Sequence, residues 1–123
     1  MIYSWCSSIL DPMKVTLTEE DPHTVSAGQP YSLTCIATLA PRTDIDWELN
    51  WLNSKNVIYW NTNLTTTDTN TNSQKNTFVL IFNEVYLSDA DVYTCQAIAN
   101  YSGGSQVRMS STRLNVESKL LCL

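Results

Sequence analysis

The chain has a single histidine, His23, three glycines, and seven lysines and arginines against twelve aspartates and glutamates. Each shortage closes off a class of function. A net charge of −5 offers no basic face to nucleic-acid phosphates. A hydrolase needs a nucleophile, a base and an orienting group in one site, and one histidine beside Pro22 leaves the usual base nearly absent. There is no Cys-x-x-Cys pair, so a zinc site is not expected. No stretch approaches the roughly 18 apolar residues that span a bilayer. Met1 to Trp5 lack the basic start and long apolar run of a signal peptide. If the domain is extracellular, the expectation is a piece of a longer protein whose anchoring and signalling parts lie elsewhere.

What is present is alternation. Val15 and Leu17 alternate with Thr16 and Thr18 ahead of the acidic turn Glu19-Glu20-Asp21-Pro22, and Gly28 marks a turn that needs an unusual backbone angle. Tyr31, Leu33, Cys35 and Ala37 form one apolar face of a half-buried strand. Ile45, Trp47, Leu49 and Trp51 form another, with Asp44, Asp46, Glu48 and Asn50 on its opposite face. Residues 61–77 are nearly all polar, a mobile connection with enough threonine for a weak edge strand. Phe78, Leu80, Phe82 and Val85 give the next buried strand and its turn. Tyr93, Cys95, Ala97 and Ala99 line the one after it, and Leu114 and Val116 are the inward positions of the last. No helical period occurs, and any helix should be a single turn around residues 87–90. Seven to nine short strands of this kind predict an all-β, two-sheet sandwich. The domain is expected over residues 13–117, with an N-terminal arm at 1–12 and a tail at 118–123.

Four cysteines, at 6, 35, 95 and 122, are widely separated. That suits disulfides and an oxidising compartment, hence a secreted or cell-surface location. Two N-glycosylation sequons, Asn63-Leu64-Thr65 and Asn100-Tyr101-Ser102, agree with secretion.

Positions 13–117 resemble an immunoglobulin-superfamily domain. Gly28 stands seven before Cys35, Ala37 two after it, Pro41 six, Ile45 ten and Trp47 twelve after it. Leu80, Phe82 and Val85 precede Asp89, and Asp89, Tyr93 and Cys95 complete the pattern. The spacing is similar to intermediate-type domains of adhesion molecules and growth-factor receptors, with variable-like features open. The resemblance implies a Greek-key sandwich with a Cys35–Cys95 inter-sheet disulfide and Trp47 packed on it. It also implies a Tyr93 hydroxyl bonded to backbone upstream, and a core that includes Leu33, Leu80 and Asp89. Trp51 lies on the same strand face as Trp47 and is expected to cover the sandwich edge. Asp91 stands where the family places a small residue, so it should face solvent or be hydrogen-bonded. The Cys35 to Cys95 gap of sixty lies between the intermediate and variable types, and no Gly-x-Gly follows the 101–105 tip. Cys6 and Cys122 fall outside the resemblance. They are bonded to each other, free, or bonded to a neighbouring chain.

Binding is therefore the expected activity, with no catalytic residue, no metal and no cofactor. Asp44 and Asp46 on an outer strand face are explained by solvation, and Asp89-Ala90-Asp91, similar to a calcium-binding fragment of cadherins, belongs instead to the turn before Tyr93-Thr94-Cys95. The candidate surfaces are the loops at 39–44 and 99–105 and the sheet face of Asp46, Glu48 and Asn50. Tyr101 with Ser102, Gly103 and Gly104 makes either a recognition tip or a plain hairpin turn. Tyr59 or Trp60 could add an apolar patch to the sheet face. By resemblance, the chain is an extracellular module of a cell-surface receptor, of receptor tyrosine kinase or adhesion type. It would bind a protein ligand or a copy of itself, touching the membrane only through its parent protein. The alternative is a structural spacer in a longer ectodomain.

Overall fold

Strands form where one face of the alternation is apolar. The computed structural model describes residues 13–18, 23–39, 45–59, 62–64 and 74–118. Nine strands lie among them: β1 (Lys14–Leu17), β2 (His23–Ser26), β3 (Tyr31–Leu39), β4 (Asp46–Leu52), β5 (Ile58–Tyr59), β6 (Thr62–Leu64), β7 (Gln74–Phe82), β8 (Asp91–Tyr101) and β9 (Gly104–Glu117). Among the described residues a 3-10 turn, Leu87–Asp89, precedes β8. The strands make two sheets, in the orders β1-β3-β7-β6 and β2-β9-β8-β4-β5. All pairings are antiparallel except β2 with β9, which is parallel. The all-β sandwich expected from the sequence is what forms.

A disulfide between Cys35 on β3 and Cys95 on β8 ties the sheets together. In the first sheet Cys35 pairs directly with Phe78, and in the second Cys95 pairs directly with Trp51. The Trp51 and Phe78 rings then meet across the interior with centroids 6.0 Å apart. Four buried side chains thus close a loop around the centre of the core. Phe82 and Tyr93 form a second inter-sheet contact, edge to face at 5.5 Å. Leu33, Leu80 and Leu114 fill the space between.

Two core expectations are corrected. Trp51, not Trp47, is the tryptophan beside the disulfide: it is completely buried, whereas Trp47 is half-buried and packs at the margin. Both do share the inward face of β4, but Trp47 pairs with Ala99 toward the hairpin end of β8, and only Trp51 is in register with Cys95. Burying about 200 Å² of indole is worth roughly 5 kcal/mol. That exceeds the ~1–3 kcal/mol cost of an unpaired donor, and the Trp51 indole N–H has no acceptor among the described residues. Asp89, expected in the core, is only half-buried and works as a hydrogen-bonding corner. Its Oδ2 accepts the Tyr86 N–H at 2.7 Å, and its carbonyl accepts the Tyr93 hydroxyl. The 3-10 turn is thereby held at both ends.

Gly28 has φ of +91°, which a side chain would strain, and its N–H donates to the Val85 carbonyl at 2.7 Å. Val85 N–H returns a bond to Gln29 at 2.9 Å, locking the β2–β3 turn to the loop before the 3-10 turn. Gln74 already belongs to β7, four residues before Phe78, and β6 is the edge strand that the threonine content suggested. Cys6, Cys122 and the segments 1–12 and 119–123 lie outside the described residues.

Candidate recognition surface

The β8–β9 hairpin tip is tight. Tyr101 pairs with Gly104, leaving Ser102 and Gly103 as a two-residue loop, and Gly103 takes φ of +101°. Tyr101 does not stand free as a recognition residue. Its ring is half-buried against the core, and its hydroxyl accepts from Gln106 Nε2 at 3.5 Å. Gln106 Oε1 accepts the Met13 N–H at 3.0 Å. The tip presents Ser102, Gly103 and Gly104 to solvent and uses its tyrosine to anchor the hairpin. The 39–44 loop is described only at Leu39, which is buried, and Asp44 and Trp60 lie outside the described residues.

The outer face of the β4–β8–β9 sheet is more informative. Strand pairing sets Glu48, Ile98 and Val107 in one row, then Asn50, Gln96 and Met109, then Leu52, Thr94 and Ser111. Directly opposed residues share a face, and these alternate with the buried Ala97, Cys95 and Tyr93. Asp46 and Glu48 are exposed on this face, as the alternation predicted, and Asn50 is half-buried. The second row is cross-linked: Asn50 Nδ2 donates to Gln96 Oε1 at 3.5 Å, and Gln96 Nε2 to Met109 Sδ at 3.8 Å. Thr94 and Ser111 hydroxyls share a hydrogen bond of 2.7 Å in the third. Met109 is 60% exposed and Val107 43%, with Ile98 half-buried beside them. This apolar group was missed from the sequence, although a signal existed. Leu114 and Val116 are even-numbered and face inward, so apolar residues at 107 and 109 are out of phase with the core.

On the opposite sheet, Val79 and Ile81 of β7 line a shallow groove with Pro30, Tyr31, Ser32, Phe82 and Asn83. β7 is apolar on both faces from Phe78 to Phe82, which the alternation argument passed over. Asn63 of the first sequon sits in β6 across from Val79.

His23 is not at a turn surface. It belongs to β2, is 7% exposed, and bridges the sheets. Its Nδ1 is 2.7 Å from the Tyr31 hydroxyl on β3 and its Nε2 2.9 Å from the Thr112 hydroxyl on β9. Both ring nitrogens are engaged inside the sandwich, so the imidazole serves structure. Asp91 is half-buried and well partnered, as the strand register required. Its Oδ1 accepts the Val92 N–H at 2.7 Å and its Oδ2 the Ser54 N–H at 3.4 Å. Hydrogen bonding from the Ser54 side chain, with help from the Val92 and Ser54 backbone and Lys55, holds its carboxyl below the ordinary value against a smaller opposing effect of burial. Among the described residues no three His, Cys, Asp or Glu side chains converge as metal ligands would.

The comparisons with known proteins agree with this geometry. A family model described as immunoglobulin domain matches residues 14–98, more than half of the chain. No curated protein sequence matches. Among solved structures, the fourth constant immunoglobulin domain of nurse shark IgNAR superposes with a TM-score of 0.58 at 14% identity, covering 85% of this chain and 94% of that one. At that identity the superposition speaks for the fold alone. With its inter-sheet disulfide, buried Trp51 and Tyr93-to-Asp89 corner, the chain belongs to the immunoglobulin-domain family.

Proposed function

We propose that this domain is a non-catalytic recognition module of a cell-surface protein, of receptor or adhesion type, which docks a protein partner on the outer face of β4, β8 and β9. One observation carries the reading: the exposed Val107 and Met109, with the half-buried Ile98 beside them, form an apolar group on a regular sheet face, rimmed by Asp46 and Glu48. Apolar groups ringed by polar residues are the usual centre of protein contacts. Function in sandwiches is carried by such faces and by the end loops. The fitting partner has an apolar centre and basic residues positioned against β4. A second copy carries such a residue in Arg113, exposed on the same outer face of β9. A spacer domain would need no such face.

Sedimentation of the isolated domain over a concentration series tests this, with Val107→Asp/Met109→Asp as the comparison. Concentration-dependent association that the double substitution abolishes supports docking of copies on this face. Association unchanged by the substitutions rules the face out. A strict monomer at every concentration rejects self-docking and moves the weight to a different partner or to the spacer.

A further inference from the structure

The proposed docking face includes an acceptor for covalent modification. Asn100-Tyr101-Ser102 is an Asn-x-Ser triplet without proline, the acceptor for N-linked glycosylation. In a chain rich in Asn and Thr such a triplet means little by itself, and its placement gives it meaning. Asn100 is exposed, at the end of β8 one residue before the hairpin's last pair closes. Alternation with buried Ala99 and Ala97 puts it on the outer face, paired with Asp46 on one side and Ser105 on the other. Ile98, two residues back on that face, lies about 7 Å along the strand, flanked by Glu48 and Val107.

We infer that Asn100 carries an N-linked glycan that covers the Glu48–Ile98–Val107 row and leaves the Asn50–Gln96–Met109 row open, so that glycan occupancy sets how much of the docking face a partner can reach. The inference rests on the secretory reading above, since the transfer occurs on that route. In the transfer, Asn100 Nδ2 bonds to C1 of the first sugar of a lipid-pyrophosphate-linked oligosaccharide. The C1–O bond to the pyrophosphate breaks, the lipid pyrophosphate leaves, and one amide proton passes to a base of the transferase. No group of this chain is consumed apart from that amide hydrogen. An attached sugar projects from an exposed strand end without displacing core side chains, and its nearest neighbours on the face are Asp46, Ile98 and Ser105. The exposed Met109 then becomes the main apolar contact, and an unglycosylated copy offers Val107 and Ile98 as well.

The test uses the chain secreted from a eukaryotic cell, with glycopeptide mass spectrometry to read Asn100 and Asn63 separately. Hydroxyl-radical labelling of Ile98, Val107 and Met109 is then compared between wild type and Ser102→Ala, which removes the triplet and keeps Asn100. Enzymatic removal of the glycan from folded wild type is a second comparison that depends on no variant. The expected result is an occupied Asn100, with labelling of Ile98 and Val107 rising several-fold on glycan loss and Met109 nearly unchanged. A secreted chain with bare Asn100 overturns the inference, and so does an occupied Asn100 with unchanged labelling. Labelling requires no partner, so masking in a strictly monomeric protein would reject self-docking and leave the glycan assignment standing.

Discussion

Trp51 and Cys95 are direct partners across the β4–β8 pair, both completely buried, and through Cys95 the indole sits against the bond that joins the two sheets. The centre of the core is therefore at Trp51. Trp51→Ala should cost about 3–5 kcal/mol, the range for large aromatic truncations in a core. Trp47→Ala, at a half-buried marginal position, should cost roughly half of that or less. Urea denaturation of the two variants measures the difference, and an equal or greater loss for Trp47 would contradict the placement.

His23 connects β2, β3 and β9 through Tyr31 and Thr112. Tyr31→Phe removes the hydroxyl from Nδ1 and should destabilise the fold by about 1 kcal/mol, as a single buried hydrogen bond does. Thr112→Val removes the hydroxyl from Nε2 with a similar effect. Because both act through one imidazole, the double variant should depart from additivity. Additive losses in a double-mutant cycle would show that the two bonds are energetically separate.

The Asp91 carboxyl is held below its free value of 3.8 in the folded state, first by the Ser54 hydrogen bond. An acid depressed on folding contributes stability that is complete above its unfolded value and is lost as the pH falls through its folded value. The wild type should thus exceed Asp91→Asn slightly at neutral pH, by under about 1 kcal/mol for so accessible a group. That margin should shrink below about pH 4. Thermal melts of both proteins between neutral and acid pH follow it, and a margin that grows on acidification would reverse the assignment.

Much of the fold was legible because alternation is a local property. Leu33, Cys35, Leu80, Tyr93, Cys95 and Leu114 are buried where a period of two places them. Asp46 and Glu48 face outward for the same reason, and Gly28 takes the positive φ that its turn position suggested. The candidate surface was legible only in part. Its acidic residues follow from alternation, whereas its apolar centre comes from β9, whose register with β8 brings Val107 beside Ile98.

Alternation along the chain was enough to say which residues share a strand face, and family spacing added the pairing of Cys35 with Cys95. Tertiary structure decided which of two tryptophans on one face meets the disulfide, that the lone histidine is interior, and that Tyr101 anchors its hairpin. Each of these depends on register and on packing between strands, between residues as far apart as His23 and Thr112, which 89 positions separate. Side-chain direction is set by neighbouring backbone bonds, but the partner across a strand or across the core is chosen by the whole fold.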